Sequence, residues 1–546
     1  MPQDLYTAAA LLGVVAAVAW VAERLRAPVP ILLVIAGIAL ALTPGLPTVA
    51  LDADFVMLAL LPPLVYFAAF RMSWQAFRAN LGQILLLAIG CVVATSAAVA
   101  SAGHAFLGLP LGVAFIIGAI VSPPDVVAPL AVAERLGLPR RITAVLEGEG
   151  LVNDVTALML FNVGLAAVLT GHLSVRGAAL EFALVVVGEA AWGLIVGATL
   201  LRLRHWAQEP RIEVMLSLMT PVVAFWPAHA LGGSGVLATV VAGLYTGVAG
   251  VALIRSNTRL QALFFWDIVN TVINGMIFLL TGLQARTVAA GLDRATLIGL
   301  GIDGLIVSLV VIAVRFAWVF PATWLQRRLM PEANAEEPSS WRVPFLIAFT
   351  GVRGVVSLAA ALSVPYAMPG GGAFPGRDRV LVITFIVIVV TLVAQGLTLP
   401  LVVRRLGLDA LGLAERVERR QREASARMET ARAALDGLPA IATRQHVPTS
   451  LMAPWTQRQQ QRIAQLDRAR HADLRDDDPV GRVHRVELAL VVAERARLNA
   501  LLREGRISDD IRRHIERDLD LDEERLRRHT RGIDEDDPPE AGPARR

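Results

Sequence analysis

Three prolines and an aspartate interrupt an apolar run that is otherwise long enough to cross a bilayer: SPPDVVAP at 122–129. Proline removes a backbone donor and its ring collides with the carbonyl one turn earlier, so a continuous helix cannot pass through Pro123, Pro124 and Pro129. In hydrocarbon the freed backbone groups have no water to turn to. Such a break survives only where it is buried in protein or lines a cavity. The next apolar run carries EGEGLVNDV at 147–155, which places Asp154 in a second membrane stretch beside the one holding Asp125. An ionised carboxylate there costs at least a few kcal/mol, so intramembrane acids face a cavity, a partner or a path for ions. The two stretches together demand a polytopic, all-α membrane protein with a polar interior.

The composition agrees. The chain is 55% hydrophobic and 18% charged with a mean hydropathy of +0.57, a balance that a soluble surface does not tolerate. Runs long enough for a span fall near 5–23, 28–45, 54–70, 81–103, 111–133, 142–170 and 177–201. Further runs fall near 212–231, 234–253, 260–283, 295–323, 343–366 and 379–402, which makes thirteen. The sequence has no lysine, so all 51 basic residues are arginine. Taken over alternate loops, seventeen arginines lie on one side and five on the other, from Arg24 and Arg71 through Arg404 against Arg176, Arg286, Arg294, Arg377 and Arg379. The positive-inside rule then puts the N-terminus outside and the C-terminus in the cytoplasm of a multi-pass cell-membrane protein. The first run lacks a basic front and is followed by arginines, like a retained span and unlike a cleaved signal. A formal charge of +4 on such a chain gives no argument for nucleic acid. A single cysteine, Cys91, excludes an intramolecular disulfide and reads as a small buried hydrophobe.

Near residue 405 the composition changes. LAERVERRQREASARMETARAAL, a later stretch from Asp467 to Leu502, and ISDDIRRHIERDLDLDEERLRRH mix dense charge with apolar residues at helical spacing. The expectation is a transmembrane domain over 1–405 and a helical, charged cytosolic tail over 406–546 whose last dozen residues are disordered.

Within the spans, Glu149 and Asn153 share one helix face, with Asp154 about 100° round. The twelfth run, FTGVRGVVSLAAALSVP (349–365), holds Arg353 between Gly351 and Gly354. An arginine there needs a counter-charge, and Glu149 is the candidate, giving a structural ion pair in the core. Arg315 is a second arginine at membrane depth that can neutralise a neighbouring acid. Glu189, Asp267, Asn270, Asn274 and Asp303 are equally consistent with helix packing and with lining a site. The fifth and twelfth runs are both interrupted and seven spans apart, an odd spacing that reverses orientation. This predicts an inverted repeat with two broken helices that cross. Carbonyls freed at such a crossing, together with carboxylates, form an oxygen-rich cage for a hard monovalent cation. His104, His172, His205 and His229 show no metal-ligand spacing, and no phosphate-binding glycine loop points to ATP.

With three blocks in order — the proline-flanked acid, Glu-x-x-x-Asn-Asp and GxRGxxSLA — residues 5–405 resemble the monovalent cation:proton antiporters of family 1, the NhaP/NHE-type sodium/proton antiporters. The resemblance implies thirteen spans and a homodimer with a dimer domain and a mobile core. It implies that Asp154 binds the transported Na+ or a proton in turn, with Asn153 before it and Asp125 as the acid of the unwound span. Glu149 with Arg353 is the implied core pair. No resident cofactor and no enzyme reaction are implied, only transported Na+ (or Li+ or K+) and H+. Where the family's electrogenic relatives carry two adjacent aspartates, Asn153 stands first here, which implies electroneutral one-for-one exchange by alternating access. Two departures stand out. Pro124 precedes Asp125 and Val126 follows it where many members have Thr-Asp-Pro, leaving Ser122 as the candidate hydroxyl ligand. Gly150 stands where the family often has serine. Rival readings are a gated channel, a membrane sensor signalling through the tail, or a solute symporter on a related scaffold. A channel wants a continuous pore with rings of like charge, which this distribution of acids does not offer.

Overall fold

The computed structural model describes residues 2–534 apart from 26, 45–50, 172–174, 330–339, 369–370, 449–450, 472–478 and 505. The predicted disordered end and His172 lie outside the described residues. The regular elements are helices; Ala367 and Ala373 alone pair in a single antiparallel bridge among the described residues. This is what a low-dielectric solvent requires, because a helix satisfies its own backbone.

Two compact units divide the chain, Met1–Gly412 and Leu413–Arg546. The first begins with α1 (Pro2–Leu25), α2 (Val29–Leu42), α3 (Phe55–Arg71), the short α4 (Trp74–Ala79) and α5 (Leu81–Leu107). The fifth predicted run is two half-helices, α6 (Leu111–Val121) and α7 (Val127–Leu136), followed by the long α8 (Arg140–Thr170). Next come α9 (Val175–Ala207), α10 (Pro210–Ala230), α11 (Val236–Leu253), α12 (Ser256–Ala289) and α13 (Arg294–Leu329). The twelfth run is again split, into α14 (Arg342–Phe349) and α15 (Val355–Leu362), and α16 (Arg377–Leu406) closes the set. Every predicted run falls on a helix or on a broken pair. Nine helices among the described residues are long and apolar enough to cross a membrane, and α2, α3 and α6 are shorter apolar helices. The first unit runs seven residues past the predicted boundary at 405, because Leu406 and Leu408 are buried with Val132, Leu138 and Leu399.

Between helices the packing relies on small residues, as expected where lipid gives no hydrophobic drive for association. At the contact of α2 with α12, a Cβ on Gly282 would lie 2.9 Å from the Gly37 Cα, so the two backbones touch. Buried acids are handled differently from place to place. Glu189 on α9 accepts from Ser234 Oγ (3.1 Å) and from the backbone amides of Gly235 (2.9 Å), Leu237 (3.0 Å) and Ala238 (3.3 Å). It caps the N-terminus of α11, where an anion complements both the free amides and the helix dipole. The helix-packing reading of Glu189 is therefore the one the structure supports.

The second unit contains the rest of α17 (Leu408–Arg444), then α18 (Ala453–His471), α19 (Pro479–Arg503) and α20 (Asp509–Asp534). The stretch predicted as continuous over 467–502 falls on the end of α18 and on α19. Val491, Leu498 and Leu519 form a small core between α19 and α20, bordered by Ile507 and Leu526. Arg495 pairs with Asp520 and Glu523 at 2.7 Å each.

Candidate cation site

The two breaks meet. Residues Ser122–Val126 separate α6 from α7, and Thr350–Gly354 separate α14 from α15. The Asp125 amide donates to the Val352 carbonyl at 2.7 Å, so one break is hydrogen-bonded to the other through the backbone. The Arg353 amide donates to Thr391 Oγ1 on α16 at 2.9 Å, and its Nη1 donates to the Ser122 carbonyl. Gly354 is needed here, because a Cβ would run into the Asp125 carboxyl group. Gly351 likewise leaves room for the side chain of Arg315. The glycines thus admit charged side chains.

Four helix ends converge at this crossing, and charged groups are placed to match their polarity. Arg353 sits on the carbonyl end of α6. Arg315 donates from Nε (3.2 Å) and Nη2 (3.1 Å) to the Ile347 carbonyl, near the end of α14. Asp125 Oδ1 accepts from the Val127 amide at 2.9 Å, at the start of α7 and beside the start of α15.

The predicted Glu149–Arg353 pair is not formed. Glu149 instead binds Arg315, with Nη1 to Oε1 at 2.6 Å and Nη2 to Oε2 at 2.9 Å, and both side chains are fully buried. The planar guanidinium of Arg315 reaches the carboxylate from α13 in a bidentate fork. Arg353, held in the unwound segment, is aimed across the crossing at Ser122 instead. Sequence had two arginines for one glutamate, and the choice depends on how α13 packs. The expectation that Arg315 neutralises a neighbouring acid is met.

Asn153 Nδ2 donates to the Pro124 carbonyl at 2.8 Å, tying α8 to the first break, while its Oδ1 is buried without a hydrogen-bond partner. Ser122 is buried; its hydroxyl donates to the Ala119 carbonyl at 2.9 Å and its carbonyl accepts from Arg353, while the hydroxyl oxygen keeps its lone pairs. No donor among the described residues reaches the Asp154 carboxylate, which lies within electrostatic reach of Asp125. Along α8, Thr143, Glu147, Gly150, Asp154 and Leu158 are half-buried at three- and four-residue spacing between fully buried neighbours. Asp125 and Val126 are half-buried too. A strip of accessible surface therefore leads along α8 to both aspartates. A small, mostly apolar cavity flanks it, lined by residues including Pro123, Ala157, Phe161 and Ser357.

Of the remaining polar candidates, Asp267 pairs with Arg71 at 3.2 Å in an exposed setting, and Asn274 donates to Asn270 at 3.0 Å. Asp303 lines a separate open cavity with Tyr366 and Arg377. Thr391 escaped the sequence reading. Its hydroxyl was no distinct signal in a span that also holds Thr384, Gln395 and Thr398.

Two crossed broken helices, paired acids at the crossing and internally compensated helix ends define a class, the secondary ion transporters. Residues 11–405 match the family model described as "Sodium/hydrogen exchanger, transmembrane", and the chain belongs to that family. It is 36% identical over 519 residues to an uncharacterized Na+/H+ exchanger of Mycobacterium tuberculosis, covering 92% of this chain and 93% of that one. It is 31% identical over 388 residues to a sodium, potassium, lithium and rubidium/H+ antiporter of Bacillus subtilis, covering 68% of this chain and 57% of that one. The fold matches the structure of the sodium proton antiporter MjNhaP1 from Methanocaldococcus jannaschii with a TM-score of 0.59 at 20% identity, covering 74% of this chain and 98% of the other. The relatives are transporters, and family membership supports cation/proton exchange.

Proposed function

We propose that this chain is a secondary antiporter that exchanges Na+, with Li+ and K+ as further candidates, for H+ across the plasma membrane. It works one for one and by alternating access, as a homodimer with thirteen crossings, the N-terminus outside and the 406–546 tail in the cytoplasm. Asp154 carries the cargo, binding either a proton or a partly dehydrated cation, and Asp125 and Asn153 shape the site around it.

One observation carries this reading: the Asp154 carboxylate has no hydrogen-bond donor among the described residues although it lies beside a second acid in the crossing. An acid left open in this way has its coordination capacity free for an exchangeable cation. Charge balance favours one-for-one exchange. The cluster holds three carboxylates, Asp125, Glu149 and Asp154, against two guanidiniums, Arg315 and Arg353. When all are ionised, a single proton or a single Na+ neutralises it. A neutral, loaded site crosses a low-dielectric barrier far more readily than an empty charged one, and this couples the two fluxes.

The test is fluorescence dequenching in everted vesicles with Na+, Li+ and K+ added separately. Cation-dependent proton flux is expected for the native chain and none for Asp154→Asn. Retained flux in that variant overturns the assignment, and conductive flux without proton coupling points to a channel.

A further inference from the structure

We infer that Val126, seated in the notch left by Gly150, is a specificity-determining wall of the cation site. The inference rests on the exchange reading above and adds a residue that sets which monovalent cation is accepted. Gly150 lies one turn before Asp154 on the same half-buried strip of α8, and Val126 directly follows Asp125 in the first break. A Cβ at 150 would lie 2.6 Å from Val126 Cγ2 and 2.9 Å from Cγ1, so the isopropyl group fills that space completely. Hydrocarbon therefore sits against the strip between the two carboxylates and the Arg140 end of α8.

The chemistry follows from what an isopropyl group cannot do. It offers no oxygen to a cation and no hydrogen bond to a water that would accompany one. It also fixes the width of the site from one side. Cavity size, ligand number and flexibility govern discrimination between cations of like charge but unlike radius. Asn153 Nδ2 and the Ser122 hydroxyl proton fix the orientation of their oxygens, and the wall position is where the size of the site can be tuned without touching those oxygens or the carboxylates. Widening the wall favours the larger K+, and thickening it favours Na+.

The experiment compares full-length native protein, Val126→Ala, Val126→Ile, Gly150→Ser and the double variant Val126→Ala/Gly150→Ser in the same vesicle assay. The readout is the rate with K+ divided by the rate with Na+ at equal, sub-saturating concentration. The expected result is a ratio at least threefold higher in Val126→Ala and at least threefold lower in Val126→Ile. Gly150→Ser alone is expected to lose folded protein or exchange through its clash with Val126, and the Val126→Ala background to restore it with the ratio drawn back toward Na+. Smaller or same-direction shifts in the two Val126 variants overturn the inference. So does a double variant that keeps the full Val126→Ala ratio, because refilling the notch then leaves the width of the site unchanged. A native chain with no cation-dependent proton flux sinks the exchange reading itself, which is a distinct failure.

Discussion

Glu189 and Asp154 are both carboxylates on membrane-spanning helices, and the chain treats them in opposite ways. Glu189 is buried and accepts hydrogen bonds from one hydroxyl and three amides, which leaves it no capacity for anything else. Asp154 is half-buried, has no donor among the described residues, and stands beside Asp125 at the crossing. The first is a structural cap, and the second is an open coordination position. The difference lies in what surrounds each acid, since both are carboxylates in apolar helices. A buried acid is thus a functional candidate only when its lone pairs are unclaimed.

Mutation should split the two cleanly. The largest effect is expected for Asp154→Asn, which should remove exchange entirely while leaving yield and melting temperature near native, because no hydrogen bond is lost. Glu189→Ala should do the reverse. It strands amides at the start of α11, at a cost of about 1–3 kcal/mol for each buried group left unsatisfied. Thermal melting in detergent should show a strong loss, while the surviving protein keeps a native apparent KM for Na+. A native melting temperature for Glu189→Ala, or a collapsed one for Asp154→Asn, would break the contrast.

Glu149 is the intermediate case, buried and paired with Arg315. Removing either partner leaves an uncompensated charge, and each single alanine variant should cost roughly 3–5 kcal/mol. The double variant Glu149→Ala/Arg315→Ala should cost clearly less than the two singles added, with a coupling of about 1–3 kcal/mol in a double-mutant cycle on melting. The same cycle between Glu149 and Arg353 should show a smaller coupling. A larger one would restore the pairing read from sequence.

Competition gives a subtler signature of the open carboxylate. If proton and cation occupy one acid in turn, as proposed, the apparent KM for Na+ should rise as pH falls on the side where Na+ is added, with the maximal rate unchanged. A pH-independent KM would mean that protons and Na+ use separate sites. The smallest effect belongs to the tail. Arg495→Ala removes partly exposed pairs to Asp520 and Glu523, each of the kind worth about 0–1 kcal/mol, and the vesicle exchange rate should not change.

Much of this organisation was legible in the chain. The span positions follow from local hydropathy, and both breaks are written in short motifs, proline around Asp125 and glycine around Arg353. What sequence could not rank were pairings across distant spans. The sequence pairs Glu149 with Arg353, and it is the packing of α13 that places the Arg315 guanidinium in reach instead. Ser122 is a candidate ligand because it is a hydroxyl near an acid, and its proton is given to Ala119 and its carbonyl to Arg353, which no sequence pattern announces. The match between Val126 and Gly150 was likewise invisible, although both residues had been noticed singly as departures.

The hydrogen bonds that join the two breaks constrain how any cargo can travel. Asp125 is tied to Val352, Ser122 to Arg353, and Arg353 to Thr391. Separating the two breaks would mean losing the first two bonds together, while the third ties the second break to α16. On the exchange proposed above, a displacement that turns Asp154 from one face of the membrane to the other would move this knot intact, carrying the ion in a rigid carriage with the sliding surfaces elsewhere.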